Sequence, residues 1–374
     1  MAARRAQRVL MTTDTVGGVW SYAVELARAL DQRGVRVGLA TMGALLTPVQ
    51  RKQLAGIASL TLFESDFRLE WMQQSAQDVA RAGRWLLALE REYRPDLVHL
   101  NQFSFGALPF VAPTLVVAHS CVLSWWRAVH GQAAPKVWAR YRAGVTQGLA
   151  GAGLVAAPTR AMLDSLAQNY GCSRGGLVLG NGRSPAQYRP ACKQPVVLAA
   201  GRFWDAAKNL EALQVAARAL SWPIRVAGST SQPDGGTVLP AGVQCLGDLP
   251  PEALAAEMAS AGIYALPARY EPFGLSVLEA GLSGCALVLG DIASLREIWG
   301  PAAVYVAPDD HDALRHALAR LIARPADRTR LGAAARARAM HFTPARMADA
   351  YLDAYAGLHT GFAATEPREL LCAS

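Results

Sequence analysis

Residues 184–194, SPAQYRPACKQ, break the rhythm of the chain. Two prolines, polar residues and no apolar period mark a linker. Working outward, short apolar runs alternate on both sides with longer amphipathic ones. Before the linker, residues 8–13 (RVLMTT) are an apolar run ending in Thr-Thr-Asp, a strand running into a loop. Val19, Ala23, Leu26, Ala27 and Leu30 then recur at helical spacing, and Gly34 stops that helix. Further strands are expected at 35–41, 60–63, 97–100, 114–118, 154–157 and 177–179, with helices such as 71–93 and 137–149 between them. After the linker the pattern restarts, with strands at 195–200, 224–227, 242–246, 263–266, 286–290 and 303–306. Helices are expected at 208–220, 251–260, 274–284 and 293–299, then two more, and a last amphipathic one at 344–358. Alternation of this kind is the pattern of parallel sheets covered by helices. The expected fold is α/β, with two doubly wound Rossmann-like domains facing a cleft. The expected division is 1–183, a linker at 184–194, 195–341, and a segment 342–374 whose helix crosses back to the first domain. Ligands of such sheets bind beyond the carboxyl ends of the strands, so the cleft is the expected site.

Composition narrows the classes. The 374 residues suit two or three domains at about 100–200 residues each. At 52% hydrophobic and 18% charged, the chain is not a largely disordered one. It has no fixed-period repeat, which argues against a solenoid. The uncharged stretch 101–126 contains two prolines and a histidine, whereas a spanning helix wants about 20 mostly apolar residues. Arg4, Arg5 and Arg8 precede an apolar stretch of only 9–11, too short for the 7–15 or so residues of a secretory signal, so a cytoplasmic location is expected. The six cysteines, Cys121, Cys172, Cys192, Cys245, Cys285 and Cys372, are scattered without CxxC spacing and read as free thiols or small apolar residues. Charge is uneven: residues 1–185 hold 20 Lys+Arg against 11 Asp+Glu, and residues 186–374 hold 17 against 18. A basic first half suits an anionic partner: a membrane surface, an acidic acceptor or nucleic acid.

Three segments and one histidine carry chemistry. In residues 267–284, PARYEPFGLSVLEAGLSG, a strand ends, a polar loop presents Glu271, and Phe273-Gly274 opens a helix that contains Glu279. A helix N-terminus offers unpaired N–H groups and partial positive charge to an anion or to sugar hydroxyls. The two carboxylates can accept hydroxyl hydrogen bonds, although acids favour helix starts in any case. In residues 201–209, GRFWDAAKN, Arg202 and Lys208 follow a strand and make a candidate diphosphate clamp. In residues 14–20, DTVGGVW, Gly17-Gly18 joins a strand to a helix in the manner of an anion cradle. GxGxxG does not occur, which disfavours dinucleotide binding. His119 follows the strand 114–118 and begins the loop toward Trp125-Trp126-Arg127, and His99 reads as structural. The one DxD, Asp310-His311-Asp312, reads as a helix start, so no metal site is expected.

These segments, with Gly-Asn-Gly at 180–182, resemble the family-four retaining glycosyltransferases of the GT-B fold from residue 8 to about 358. The resemblance implies transfer of a sugar from a nucleotide-sugar donor, such as a UDP- or GDP-sugar, to a glycan, lipid-linked or small-molecule acceptor. It implies neither a metal nor another cofactor. By it, Arg202 and Lys208 hold the donor diphosphate, and Glu279 binds the ribose. Glu271 and the amides of Phe273, Gly274 and Leu275 hold the donor sugar. Gly17 and Gly18 face the phosphate and acceptor, His119 lies beside the reacting sugar, and the base sits near residues 245–249. The chain departs from the pattern at Cys285-Ala286, at Gly180 and at Ser120, which follows His119.

Other classes compete. A glycoside hydrolase using Glu271 and Glu279 needs carboxyl groups about 5 Å apart, which spacing does not reveal. A nucleotide-sugar epimerase and a non-catalytic nucleotide-sugar binder share the expected fold. A nucleic-acid binder is permitted by the basic half, but the aromatic-and-basic strand pattern of RNA modules is missing, so no nucleic acid is expected. The partners expected are a nucleotide sugar, an acceptor and an anionic membrane surface, the last met by Trp125, Trp126, Arg127, Lys136, Trp138, Arg140 and Arg142.

Overall fold

A computed structural model describes residues 6–171, 175–231, 236–238 and 240–359; Cys172 and Cys372 lie outside them. The chain forms two compact units: one of 1–127, 132–182 and 344–374, the other of 128–131 and 183–343. The division falls after Gly182, so the irregular segment 184–193 belongs to the second unit rather than standing between two, and the second unit runs to Thr343.

The first unit is built on strands β1 Arg8–Asp14, β2 Arg36–Met42, β3 Leu60–Glu64, β4 Leu97–Leu100, β5 Thr114–Val117, β6 Leu154–Ala157 and β7 Leu177–Val178. Every pairing between them is parallel, in the order β3-β2-β1-β4-β5-β6-β7. The helices are α1 Gly18–Asp31, α2 Pro48–Leu54, α3 Ala76–Tyr93, α4 Val122–His130, α5 Ala139–Gly151, α6 Arg160–Tyr170 and, from the far end of the chain, α13 Pro344–His359. The apolar face of α13 lies on this unit. Tyr351 meets Tyr22 of α1 with ring centroids 5.9 Å apart, and Asp349 pairs with Arg33 at 2.7 Å. Val98, Val116, Leu100, Phe103, Leu86 and Val145 share one buried cluster.

Three differences from the sequence expectations have local causes. Trp125, Trp126 and Arg127 lie in α4, a helix not among those expected, because VLSWWRAVH holds no Gly or Pro to interrupt it and Gly131, at φ 67°, follows. Helix α2 was not expected, yet Thr47 and Gln50 form a capping box ahead of it: Gln50 N–H donates to Thr47 Oγ1 at 3.2 Å, and Thr47 N–H to Gln50 Oε1 at 3.0 Å. Helix α3 starts at Ala76 rather than 71, because Gln74 adopts a left-handed φ of 55°.

The second unit repeats the plan. Its strands are β8 Gln194–Ala200, β9 Ile224–Ala227, β10 Gln244–Gly247, β11 Ala261–Leu266, β12 Ala286–Gly290 and β13 Ala303–Val306. They form a parallel sheet in the order β10-β9-β8-β11-β12-β13. Helices α7 Leu210–Ala217, α8 Pro251–Ser260, α9 Leu275–Leu282, α10 Ala293–Trp299, α11 His311–Ala323 and α12 Pro325–Ala339 cover both faces. Successive strand residues serve opposite faces: Val197 and Ile263 enter one buried cluster, Leu198 and Tyr264 the other. This explains why these strands are continuous apolar runs. The order reverses between β1 and β4 in the first sheet and between β8 and β11 in the second. At those switch points the loops beyond neighbouring strands diverge and leave room for a ligand.

Candidate active site

In the second unit, the two loops that flank the switch are welded together. The 201–209 loop follows β8 and the 267–274 loop follows β11. Lys208 Nζ donates to Glu271 Oε2 at 2.6 Å, with both side chains 14% exposed. Asn209, in the left-handed region at φ 57°, donates through Nδ2 to the carbonyls of Pro267 (2.9 Å) and Pro308 (2.7 Å). Arg269 N–H donates to the Ala207 carbonyl at 2.9 Å. Ser294 Oγ donates to the Glu271 carbonyl at 2.6 Å, so the backbone of the acid is held as well.

Glu271 Oε1 accepts the N–H of Gly274 at 3.0 Å, at the entry to α9. Burial alone would raise this carboxyl. The Lys208 ammonium and the N–H groups of Phe273 and Gly274 outweigh burial and hold it below the usual range. The acid is therefore ionised at neutral pH, fixed at a helix start where anions are favoured. Gly274 sits at φ 88°, and an added Cβ would stand 3.0 Å from the Val277 side chain, so the turn needs glycine. Tyr264 anchors the same helix to β8: its hydroxyl reaches Ser276 Oγ at 2.8 Å and the Ala200 carbonyl at 3.1 Å.

Glu279 lies one to two turns into α9 and is buried. Its Oε1 accepts from Arg183 Nε at 2.7 Å. Arg202 stands apart from these pairs. Its side chain is 38% exposed, with the guanidinium 3.9 Å from Asp205 and 5.2 Å from the centre of the Trp204 ring. Lys208 is thus committed to Glu271, and Arg202 is the more open cation of the expected clamp. Asp310 caps α11, accepting the N–H of Ala313 at 2.8 Å, which is the helix-start role read for that cluster.

In the first unit, Gly17 and Gly18 are exposed after β1. Gly17 has φ 87°, and Val16 N–H folds back to Asp14 Oδ1 at 3.3 Å. His119 follows β5, half-buried, with its ring 4.3 Å from Tyr22. Its Nε2 lies 2.7 Å from Asn101 Oδ1. The orientation of that amide is set by its other end, since Asn101 Nδ2 donates to the Thr12 carbonyl at 2.6 Å. Nε2 must therefore carry the proton, which leaves Nδ1 an acceptor. Burial, then the neighbouring His99, pulls the His119 pKa down to about 3, so the ring is neutral. His99 is structural as expected: fully buried, it contacts Tyr355 Oη at 2.7 Å and Tyr22 Oη at 3.2 Å.

Sequence reasoning missed Asn101, Arg183, Asn209 and Ser294 as members of these networks. Arg183 is 96 residues from Glu279 and Ser294 is 23 from Glu271, so no local spacing reveals them. Asn209 did carry a signal, as the last residue of GRFWDAAKN before a helix.

Two parallel, doubly wound sheets with ligand loops at their switch points define a GT-B glycosyltransferase architecture. The chain superimposes on sucrose-phosphate synthase from Thermosynechococcus elongatus with a TM-score of 0.79 at 19% identity, covering 95% of this chain and 100% of that one. It superimposes on Anabaena HepE in complex with UDP and glucose with a TM-score of 0.72 at 15% identity, covering 93% and 99%. Residues 16–182 match the Glycosyltransferase Family 4 model and residues 183–338 the Glycosyl transferases group 1 model, a boundary that coincides with that of the two units. The chain belongs to the family-four glycosyltransferases, a family of glycosyl-transferring enzymes. In sequence it is 40% identical over 92 residues to the MMP alpha-(1->4)-mannosyltransferase of Mycolicibacterium hassiacum, covering 24% of this chain and 22% of that protein. The chain thus spans about a fifth of the length of the curated relatives it matches.

Proposed function

We propose that the protein is a retaining, metal-independent hexosyltransferase that moves a sugar from a nucleotide-sugar donor to an acceptor hydroxyl. The observation that carries this reading is the Lys208–Glu271 pair at the N-terminus of α9, 2.6 Å apart at the switch point of the second sheet. It offers, where two joined loops meet, an ionised acceptor for sugar hydroxyls beside a cation and the positive end of a helix for a diphosphate. A family relative transfers mannose and a structural neighbour holds UDP and glucose, which supports a nucleotide-linked hexose as donor.

In the reaction the bond from the anomeric carbon to the diphosphate breaks and a bond to the acceptor oxygen forms. The acceptor proton leaves with the nucleoside diphosphate or with solvent. Positive charge grows on the sugar and negative charge on the diphosphate. Arg202, Lys208 and the positive N-terminal end of α9 stabilise the leaving group, without a cation from outside the chain. Glu271 holds donor hydroxyls, Glu279 takes the ribose, and Gly17 and Gly18 admit phosphate and acceptor close to the backbone. His119, neutral and with Nδ1 open, accepts a hydrogen bond from the reacting sugar; a ring with a pKa of about 3 is a weak base, so its part is orientation rather than proton removal. The acceptor side is assigned to the basic first unit, which meets an anionic membrane surface from the cytoplasmic side.

The test is nucleoside diphosphate release from UDP-, GDP- and ADP-hexoses with an acceptor panel, with and without EDTA, and NMR of the product anomer. Transfer with retained configuration, unchanged by EDTA, is expected. Hydrolysis of simple glycosides with no turnover of any nucleotide sugar would instead make the protein a hydrolase. A changed sugar released without acceptor would make it an epimerase.

A further inference from the structure

Glu271 and Glu279 are each held by one cation, and the cation on Glu279 comes from outside every expected motif. Arg183 opens the second unit, directly after Asn181-Gly182. It is fixed at three points besides its carboxylate. Its backbone N–H donates to the Phe342 carbonyl at 3.0 Å, its Nη2 donates to Tyr188 Oη at 2.9 Å, and the Tyr188 ring centre lies 5.6 Å from the guanidinium carbon. Its Nε and Nη2 both approach the same Glu279 oxygen, at 2.7 and 2.5 Å, with the two side chains 12% and 8% exposed. The Tyr188 hydroxyl is raised well above its ordinary value, by burial first and then by the Glu279 charge beside it.

A buried ion pair contributes little to stability over apolar packing of the same volume. What a planar, permanently charged fork does supply is direction: it fixes which way a carboxylate faces. We propose that Arg183 is a positioning residue that orients Glu279 to read the vicinal hydroxyls of the donor's ribose, making the enzyme selective for ribonucleotide over deoxynucleotide donors. The proposal rests on the reading of Glu279 as the ribose-binding acid. Without Arg183, the carboxylate loses its set direction, and the two hydroxyls lose their matched acceptor.

The experiment measures, by calorimetry on the full chain, the affinity of UDP, GDP and ADP and of their 2′,3′-dideoxy counterparts. The pair whose ribonucleotide binds tightest is then followed through variants. Wild type is expected to prefer the ribonucleotide by about tenfold to a hundredfold, the range for hydrogen bonds to a charged group. Glu279→Gln should cut that ratio. Arg183→Met should bring it near one by weakening the ribonucleotide alone, and Arg183→Lys, which keeps charge without the fork, should fall between. Because the readout is a ratio within one protein, a general loss of folded fraction cancels; if Arg183→Met does not fold, Arg183→Lys carries the test. A wild-type ratio kept in Arg183→Met, or in Arg183→Lys where only that variant folds, but lost in Glu279→Gln overturns the role of Arg183 alone. A wild-type ratio near one, a ratio untouched by Glu279→Gln, or no binding of any of the three nucleotides overturns the ribose reading, and the proposal falls with it.

Discussion

At the scale of single residues, the chemistry of the second unit depends on how its charges are paired. Lys208 neutralises Glu271 within a hydrogen bond, while Arg202 keeps over a third of its side chain in solvent. Arg202 and Glu271 therefore predict different phenotypes. Arg202→Ala should remove one charge-assisted phosphate contact, about 1.5–3 kcal/mol of nucleotide affinity, in a normally folded protein. Calorimetry with UDP and GDP checks this, and unchanged affinity would take Arg202 out of the site. Glu271→Gln should lower kcat more than it raises donor KM, if the donor-hydroxyl contacts proposed for Glu271 are made chiefly in the transition state. Steady-state kinetics within twofold of wild type would remove Glu271 from the site. Both residues were legible in the sequence, since each sits a few positions past an apolar run, where a parallel sheet places its ligand loops. Their pairing was not, because a clamp of Arg202 with Lys208 and a pair of Lys208 with Glu271 are equally compatible with the spacing. Only the adjacency of β8 and β11, distant in sequence, decides between them.

At the scale of elements, α9 and the β4–α13 contact each make a prediction. Gly274→Ala places a side chain at φ 88° and 3.0 Å from Val277, so it should destabilise the protein by about 1 kcal/mol or more and weaken donor binding with it. Urea unfolding with unchanged stability would mean the turn relaxes freely. In the first unit, α13 is bound to β4 through Tyr355 and His99. Burial lowers His99 from 6.5 to about 3. Its folded pKa is depressed, so the unfolded chain binds the proton first. The stabilisation is complete above pH 6.5 and is lost as pH falls toward 3, at up to about 1.4 kcal/mol per pH unit for one site. His119 adds a slope of the same sign. Urea midpoints across pH 7 to 4 should fall, and less steeply in His99→Gln; a flat profile would show that His99 protonates in the folded state. Most elements were legible from apolar period alone, to within a few residues. Helix α4 was not: two tryptophans and an arginine after a strand-end histidine look like a ligand loop, whereas continuous helix-compatible residues up to Gly131 decide otherwise.

At the scale of the whole molecule, the charge is the unexplained quantity. The excess of 20 basic over 11 acidic residues is confined to 1–185, whereas 186–374 is nearly balanced at 17 to 18. Among the described residues no helix is long and apolar enough to cross a membrane. Arg127, Lys136, Arg140 and Arg142 are exposed, Val137 is 82% exposed beside them, and Trp125, Trp126 and Trp138 are half-buried. Tryptophans embedded in the core would have argued for a purely structural stretch; half-exposed indoles among free cations fit an interfacial one. Each basic side chain near an anionic surface contributes about 1 kcal/mol, so four of them suffice for reversible attachment, weakened by salt within the Debye length. Co-sedimentation with anionic vesicles is expected at low salt, with neither neutral vesicles nor 0.5 M or so salt supporting it. Arg127→Glu combined with Arg140→Glu should abolish it while leaving nucleotide affinity unchanged, since neither residue is among those proposed to hold the donor. Absence of binding to anionic vesicles at low salt would assign the same cations to a soluble acidic acceptor, and transfer to a phosphorylated acceptor would then be the reaction that loses rate in the double variant.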